Sequence, residues 1–245
     1  MAQQNSAQRR SLARTAVVWD AVQAVLASFD DASVVDIGGG TGGFAVRVAE
    51  LGHRVTVVDP NPDALAILDR RAEESGVSER VRGLQGDLAG LLDLVPAESA
   101  DMVLCHGVLE IVEPEAALAA ITSVLRPGGS LSLLVNQRHA AVFARAMAGH
   151  FAQAQALLDS PTRQGEQGGT GRRFTADEIV ALLDKAGFEP PTLHAVRVFV
   201  DLVPSTLVDL EPGAATALVE LEQAVAERPE YLPLATQLHA LTTKR

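Results

Sequence analysis

The most constraining feature of this sequence is a glycine cluster that directly follows a short apolar run. Residues 34–43 read Val-Val-Asp-Ile-Gly-Gly-Gly-Thr-Gly-Gly, and apolar residues at helical spacing come next. This order predicts a buried strand, a tight turn and a helix whose first turn faces a ligand. Glycines allow positive φ angles and a close approach of the ligand to the backbone. The helix start offers unpaired N–H groups and a partial positive charge.

Glycine spacing by itself is shared with nicotinamide and flavin enzymes, so three further features carry the interpretation. Asp36 precedes the glycines and gives the pattern Asp-x-Gly-x-Gly-x-Gly. A second predicted strand runs into Asp59 and Pro60. An Arg-Pro-Gly-Gly segment at residues 126–129 leads into a later apolar strand.

Together these features resemble the class I S-adenosylmethionine-dependent methyltransferases. The resemblance implies an α/β fold with a Rossmann-like, doubly wound sheet of seven strands, mostly parallel with an antiparallel last strand. It implies S-adenosyl-L-methionine as the cofactor and S-adenosyl-L-homocysteine as the product. We expect a helical and loop lid, inserted after strand 5, over residues 138–173. The rival interpretation, a nicotinamide or nucleotide-sugar oxidoreductase, explains neither the position of Asp36 nor the Arg-Pro-Gly-Gly segment.

The resemblance also implies which residues contact the cofactor. In that family the glycine loop lies along the methionine part, and the acid that ends the second strand holds the ribose hydroxyls. The corner after the third strand contacts the adenine, where Asp87 accepts the amine hydrogen and Leu88 packs on the ring. The implied cofactor-binding positions are Arg14, Asp36, Gly38, Gly39, Gly40, Gly42, Asp59, Pro60, Gly86, Asp87, Leu88 and His106.

Three of these residues also have a plainer interpretation. Arg14 is either a solvated charge on the leading helix or a guanidinium that pairs with the cofactor's carboxylate. Asp87 can cap the helix that follows it, contact the adenine, or do both. His106 follows the fourth strand, where doubly wound sheets bind ligands, so we expect it to line the pocket rather than to act as a base. A histidine hydrogen-bonded to backbone is the alternative.

The predicted lid is the basic part of an acidic chain. Residues 137–175 carry five arginines against two acids, a net charge of +3, which leaves −14 for the rest because the whole chain carries −11. We interpret this region as an anion-recognising lid in which Arg172 and Arg173 position the acceptor. A solvated loop with scattered arginines is the plainer alternative.

Several segments outside the cofactor motifs are similar to the bacterial tRNA 5-carboxymethoxyuridine methyltransferases, which esterify a carboxylate on a modified wobble uridine. These segments are residues 106–110, 147–151, 196–201, 220–222, 228–231 and 238–239. The similarity implies methyl transfer to an anionic carboxylate acceptor, with tRNA as the partner. The net charge of −11 argues against non-specific nucleic-acid binding, although it leaves room for a local basic surface.

Two other functions compete with carboxyl methylation. An ionised carboxylate needs no general base, whereas a hydroxyl or amine acceptor needs one. A small-molecule O- or N-methyltransferase would therefore use His106 or His139 as the base. The remaining alternative is a cofactor-binding protein that regulates a partner without catalysis.

Composition sets the outer bounds. A chain of 245 residues with 47% apolar residues can fill the core of one domain, which we predict over residues 11–245 behind a disordered tail at 1–10. The single cysteine, Cys105, excludes a disulfide framework, and the histidines show no close metal-ligand spacing, so no metal is expected. No signal peptide or membrane-spanning apolar run is found, which predicts a cytoplasmic protein that does not bind membranes.

Overall fold

The computed structural model describes residues 2–159, 171–204, 207–208 and 213–245. The chain divides into two compact units, whereas the sequence predicts a single domain over residues 11–245. The strand unit consists of Val22–Leu134, Ile179–Pro191 and Ala240–Arg245; the flanking unit consists of Met1–Ala21, Val135–Glu178 and Thr192–His239. Several boundaries fall inside a helix or a strand, so no linker composition marks them in the sequence.

The described part of the chain forms nine helices, one 3-10 helix and seven strands. The helices are α1 Ala2–Leu26, α2 Ala45–Glu50, α3 Pro62–Glu74, α4 Leu91–Leu94, α5 Pro114–Val124, α6 Arg138–Met147, α7 Phe151–Asp159, α8 Ala176–Lys185 and α9 Ala214–Val225, with the 3-10 helix at Pro229–Leu234. The strands are β1 Ser33–Ile37, β2 Arg54–Asp59, β3 Val81–Gln85, β4 Ala100–His106, β5 Leu125–Asn136, β6 Thr192–Val196 and β7 Gln237–Thr243. α4 follows Asp87, where a helix is expected, whereas the short 3-10 helix is not anticipated from the sequence.

The strands form one sheet in the order β3-β2-β1-β4-β5-β7-β6. β7 is antiparallel to β5, because Gly128 donates its N–H to the carbonyl of Lys244 while Gln137 donates to the carbonyl of Thr236. The predicted seven-stranded, mostly parallel α/β fold is therefore confirmed. α6 and α7 follow β5, and residues 160–170 of the predicted lid lie outside the described residues.

The parallel strands of the strand unit end level with one another. Ile37 of β1 pairs with Val58 of β2 and with Cys105 of β4, and Asp59 pairs with Gln85 of β3. β1 and β4 are mostly apolar and largely buried, as expected for central strands covered on both faces. The chain order reverses between β1 and β4, which is the place where doubly wound sheets bind ligands.

Two helices start as their sequences predict. At α3, Asn61 Oδ1 accepts the N–H of Asp63 at 2.9 Å, with Pro62 in the first turn. At α8, Thr175 and Glu178 form the predicted capping box: Thr175 Oγ1 accepts the N–H of Glu178 at 3.3 Å, and Glu178 Oε2 accepts the N–H of Thr175 at 2.8 Å. Both helices therefore have fixed first turns.

Other element boundaries differ from the prediction. α1 begins at Ala2, where a disordered tail is predicted for residues 1–10, because neither glycine nor proline interrupts residues 2–26. Met1 lies outside the described residues. The helical stretch predicted over residues 138–158 is two helices, because Gly149 adopts a φ of 78° and His150 donates its N–H to Arg145. That bond satisfies a carbonyl at the end of α6.

β5 and β6 also differ from their predicted lengths. The Arg-Pro-Gly-Gly segment, expected to precede a strand, lies within β5, because Lys244 accepts from Gly128 and donates to the carbonyl of Gly129. The run of residues 192–200 predicts one strand to Val200, but β6 ends at Val196. The next residue, Arg197, adopts a φ of 61°, which takes the chain out of the extended conformation.

Candidate active site

The glycine loop after β1 has the backbone conformation that its sequence predicts. Gly38, Gly40 and Gly42 have φ angles of 68°, 54° and 79°. A Cβ atom at Gly38 would lie 2.5 Å from Val108, and one at Gly42 would lie 2.2 Å from Leu68. These glycines are required by conformation, and two of them also by space.

Asp36 lies directly beneath this loop. A Cβ atom at Gly39 would lie 2.5 Å from Asp36 Oδ2, so the carboxyl packs against the backbone of the second glycine. The side chain is 3% exposed. Burial, followed by the negative charge of Asp59, raises the pKa of Asp36 to about 7. Near neutral pH this carboxyl therefore exists in both protonation states.

Asp59 joins the end of β2 to the glycine loop. Its Oδ2 accepts the N–H of Gly40 at 2.9 Å, and its Oδ1 accepts the N–H of Asn61 at 2.9 Å. Each carboxylate oxygen can accept a further hydrogen bond. The aspartate is thus held in place with acceptor capacity left, as a residue that binds a pair of ribose hydroxyls requires. Pro60, which follows it, is exposed.

The corner after β3 lies next to Asp59. Gly86 donates its N–H to the carbonyl of Asp59 at 3.2 Å, and a Cβ atom there would lie 2.4 Å from Leu94. Asp87 Oδ1 accepts the N–H groups of residues 89 and 90 at 3.0 and 3.1 Å, so the capping role is present. Leu88 is buried. The second carboxylate oxygen of Asp87 takes no part in these two bonds.

His106, at the end of β4, is held between two neighbours. Its Nε2 lies 2.8 Å from Ser132 Oγ, and its ring packs edge-on against Phe44 with centroids 4.8 Å apart. Burial lowers the pKa of His106 to about 4. The imidazole is therefore neutral at pH 7 and a weak base, which suits a positioning role better than proton transfer.

Arg14 belongs to the flanking unit and makes an ion pair there. Its Nε and Nη2 donate to Asp201 Oδ1 at 3.1 and 2.8 Å. Arg197 Nε donates to the other oxygen of the same carboxylate at 2.7 Å, and Arg197 Nη2 forms an ion pair with that oxygen at 2.5 Å. One aspartate therefore bridges two guanidinium groups, an arrangement that is not anticipated from the sequence.

The predicted acceptor-positioning arginines, Arg172 and Arg173, also lie in the flanking unit. The guanidinium of Arg172 stacks on the ring of Phe174, 5.2 Å from its centroid. Phe174 is buried, and its N–H donates to the carbonyl of Asn136 at the end of β5. The carbonyl of Arg173 accepts from Arg138 at 3.2 Å. The C-terminal end of the predicted lid is thus tied to the end of β5 by backbone bonds.

Arg138 is neutralised within the same unit. Its Nη2 lies 2.5 and 2.6 Å from the two oxygens of Glu178. Burial raises the pKa of Glu178, but the hydrogen bonds from Arg138 and from the backbone of Thr175 outweigh burial and hold that pKa below its usual value. Arg138 is therefore committed to structure.

Sequence reasoning missed three residues around the site. Ser132 and Phe44 contact His106, and Val108 occupies the space that a side chain at Gly38 would need. Ser132 could have been noticed in the sequence, because a serine interrupts the apolar run of β5 there. In the structure this serine is fully buried. Phe44 and Val108 resemble ordinary core residues in the sequence.

The described residues contain neither a metal-binding cluster nor a membrane-spanning helix. No cluster of three or more His, Cys, Asp or Glu side chains there could hold a metal ion. Within the same residues, no helix has the length and apolar character needed to cross a membrane.

The fold and the strand-unit site together define a class of enzyme. A doubly wound sheet carries a glycine loop that a ligand can approach, an aspartate with free acceptor capacity and a neutral histidine, all on the carboxyl ends of β1 to β4. These residues fit S-adenosyl-L-methionine. The chain is a class I S-adenosylmethionine-dependent methyltransferase.

Comparison with known proteins agrees with this class. A sequence profile described as a methyltransferase domain matches residues 34–129. Among solved structures, an S-adenosylmethionine-dependent methyltransferase from Mesorhizobium loti superposes with a TM-score of 0.62 at 19% identity, over 92% of this chain and 97% of that one. The 1,6-didemethyltoxoflavin-N1-methyltransferase of Burkholderia thailandensis, which holds S-adenosylhomocysteine, superposes with a TM-score of 0.57 at 23% identity, over 94% and 78%.

A curated relative covers almost the whole length. The chain is 30% identical to the tRNA 5-carboxymethoxyuridine methyltransferase of Escherichia coli O157:H7 over 237 residues, which is 94% of this chain and 88% of the relative. The chain belongs to the family of that enzyme.

Proposed function

We propose that this enzyme methylates the carboxylate of 5-carboxymethoxyuridine at the wobble position of tRNA. One observation carries the proposal: the similarity to the E. coli enzyme extends over 94% of the chain. The general methyltransferase profile ends at residue 129. The similarity in sequence therefore includes most of the flanking unit, outside the stretch that the general profile matches.

The state of His106 supports a carboxylate acceptor. When bound, S-adenosyl-L-methionine would supply a methyl group attached to a positively charged sulfur. An acceptor carboxylate oxygen opposite that sulfur would take the methyl group, giving a methyl ester and S-adenosyl-L-homocysteine. A carboxylate is ionised at neutral pH and needs no base. His106, with a pKa lowered to about 4 and Nε2 held by Ser132, would orient the reactants without taking a proton.

Donor binding is proposed for the residues that the family resemblance implies. Asp59 would accept the ribose hydroxyls with the acceptor capacity left beside its bonds to Gly40 and Asn61. Asp87 would accept the adenine amine hydrogen with its second oxygen. Arg14 would pair with the donor's carboxylate. The remaining proposed donor-binding residues are Asp36, Gly38, Gly39, Gly40, Gly42, Pro60, Gly86, Leu88 and His106.

Acceptor positioning is proposed for Arg172 and Arg173. Stacking on Phe174 fixes the plane of the Arg172 guanidinium. Its Nε is buried and has no hydrogen-bond partner among the described residues. A guanidinium of fixed plane with an unused donor is suited to bind the acceptor's carboxylate without competing for the reacting oxygen.

Transfer of labelled methyl groups tests this function. The enzyme is incubated with labelled S-adenosyl-L-methionine and a cell extract that is split afterwards into RNA and small-molecule fractions. Label in the tRNA that mild base removes would support a methyl ester. Asp59→Ala should abolish labelling, whereas Asp69→Ala, at an exposed position of α3, should not. Absence of label from tRNA that contains 5-carboxymethoxyuridine would refute the proposal.

A small-molecule O- or N-methyltransferase is the second candidate. The observation in its favour is the net charge of −11, which is unfavourable for a polyanionic acceptor. Label found only in the small-molecule fraction, and lost in His106→Gln or His139→Gln, would establish it.

A further inference from the structure

Two consecutive helices of the flanking unit, α6 and α7, expose four large apolar side chains. Phe143 and Met147 of α6 are 56% and 70% exposed, and Phe151 and Leu158 of α7 are 72% and 60% exposed. Phe143 and Met147 lie one turn apart on the same face of α6. Phe151 and Leu158 lie two turns apart on the same face of α7. These four side chains form what we term the α6–α7 surface.

The packing of the two helices does not cover this surface. α6, whose ten residues are all described, has no buried residue, although a helix of a globular protein normally buries its large apolar side chains. α7 buries Ala154 and Leu157 and leaves Phe151 exposed. His150 donates its N–H to the carbonyl of Arg145 at 2.9 Å, which fixes the turn between the helices. Clustered apolar side chains that an ordered turn holds at the surface indicate an interaction site.

The same region is free of acids in an acidic chain. Residues 116–158 contain neither aspartate nor glutamate, although the whole chain has 31 of them, and no other acid-free run in the sequence is as long. α6 carries two arginines, Arg138 and Arg145. Glu178 neutralises Arg138, whereas no carboxylate among the described residues pairs with the half-buried Arg145. A polyanion, which the net charge of −11 repels, meets least repulsion at this surface.

We propose that the α6–α7 surface binds the unpaired loop of the RNA acceptor. Unpaired bases stack on exposed aromatic side chains, and arginine pairs with the phosphates between them. Phe143 and Phe151 each stack on a base, Met147 and Leu158 extend the apolar platform, and Arg145 pairs with the RNA backbone. A loop fits this surface better than a duplex, because only unstacked RNA presents its base faces. The inference rests on the tRNA acceptor proposed above and adds the surface that holds it.

Two other partners fit the α6–α7 surface less well. A second copy of the chain also carries a charge of −11, so self-association would bring two acidic molecules together. Amphipathic helices that bind lipid surfaces are rich in lysine and arginine on their polar face. α6 and α7 contain no lysine and only two arginines, one of which is neutralised by Glu178.

Binding of an anticodon stem-loop RNA tests the surface. The probe is a fluorescently labelled stem-loop with 5-carboxymethoxyuridine in its loop, and anisotropy with the full chain and S-adenosyl-L-homocysteine measures the dissociation constant. Phe143→Ala and Phe151→Ala should each weaken binding about tenfold, the loss expected when one base loses its aromatic partner. Arg145→Gln should weaken binding and lower the slope of its logarithmic salt dependence by about 0.7, the value for one phosphate of a single strand. Phe29→Ala, at an exposed position outside the two helices, is the matched control and should bind normally.

Methyl transfer to tRNA gives a second readout. Phe143→Ala and Phe151→Ala should raise KM for tRNA about tenfold and leave kcat within about twofold, because the surface binds the RNA equally before and during transfer. Calorimetric titration with S-adenosyl-L-homocysteine should give the parent dissociation constant, which shows that the variants are folded. A lower kcat with unchanged RNA binding would overturn the proposal, since the phenylalanines would then support the reaction site and not the RNA.

A failure of this surface and a failure of the proposed function give different results. If the parent protein methylates tRNA and both phenylalanine variants bind and react as the parent does, the surface is rejected and the function stands. If the parent methylates no tRNA, the function fails, and the surface stands only if the parent binds the stem-loop and the variants lose that binding. Unchanged RNA affinity, with self-association or binding to phosphatidylserine vesicles that Phe143→Ala abolishes, would assign the surface to a second copy or a lipid and overturn the proposal.

Discussion

His106 Nε2, at the end of β4, lies 2.8 Å from Ser132 Oγ, in the adjacent parallel strand β5. The serine fixes the imidazole, and burial keeps it neutral. Orientation without proton transfer is what methyl transfer to an ionised carboxylate requires. A mechanism in which His106 gains and loses a proton would be disfavoured, because burial lowers the pKa of the imidazole and Ser132 occupies its Nε2.

His106→Gln is expected to lower turnover by less than about a hundredfold at saturating donor, because an amide can still hydrogen-bond Ser132 and no base is lost. Labelled-methyl transfer to tRNA measures the rate. The matched variant His139→Gln changes an exposed histidine on α6 and should be nearly silent. A fall of several orders of magnitude in either variant would assign that histidine as a general base.

His106 should also make stability depend on pH. Its pKa is lowered to about 4 in the folded protein, whereas a histidine in an unfolded chain titrates near 6.5. The unfolded chain alone takes up this proton, so stability present above pH 6.5 is lost as the pH falls towards 4. Urea unfolding at pH 7 and pH 5 should show a smaller loss for His106→Gln, by on the order of 1 kcal/mol. Equal losses in both proteins would contradict the shift.

Asp36 should act in the opposite direction. Its pKa is raised to about 7, so the folded protein keeps a proton that the unfolded chain releases near pH 4, and stability is lost as the pH rises from 4 through 7. Asp36→Asn should match the parent protein near pH 4 and exceed it at pH 8, by on the order of 2 kcal/mol without donor. Thermal unfolding at both pH values checks this. Asp69→Asn, at an exposed position, should match the stability of the parent protein at both pH values.

Gly42 and Gly43 form a matched pair. Alanine at Gly42 combines a φ of 79° with a Cβ atom 2.2 Å from Leu68, whereas Gly43 has nothing within 4 Å of that position. Gly42→Ala should cost about 2 kcal/mol or more in the free energy of unfolding and weaken donor binding. Gly43→Ala should cost less than about 1 kcal/mol. Denaturant unfolding and donor titration compare the two, and similar losses would contradict the local geometry.

Glu222→Gln tests the buried carboxylate beneath the loop of residues 198–200. Three backbone N–H groups share its two oxygens, and an amide replaces one oxygen with a donor that faces those N–H groups. The expected loss in the free energy of unfolding is about 2 kcal/mol or more. Glu220→Gln, at an exposed position of the same helix, should be neutral. Unfolding curves that coincide for the two variants would show that Glu222 does not hold the loop.

The site in the strand unit could be predicted from sequence because each of its parts is local. Gly38 follows its strand directly, Asp59 ends the next strand, and parallel pairing brings both to one edge. The partner of Arg14 could not be predicted, because 187 residues separate it from Asp201. The early end of β6 also depends on a residue distant in the sequence. Glu222 accepts the backbone N–H groups that a longer strand would have used.

The division into units escaped prediction for a different reason. Its boundaries cut through α1, β5 and β7, where hydrophobic periodicity is continuous. The disordered tail predicted for residues 1–10 differs from the structure, in which α1 begins at Ala2. The prediction rested on the polar composition of this segment, which contains neither glycine nor proline to interrupt a helix. A polar composition does not by itself exclude a helix.

The position of the methyltransferase profile within the chain affects how the sequences of such enzymes diverge. The methyltransferase profile, residues 34–129, lies within the uninterrupted stretch Val22–Leu134, while the flanking unit is assembled from sequence on both sides of it. A lineage can therefore keep the stretch that the methyltransferase profile matches as one continuous block while the sequence on both sides of it changes. Duplicated genes would keep their reaction and drift in what they modify, and their ancestry would be clearest in the middle of the chain.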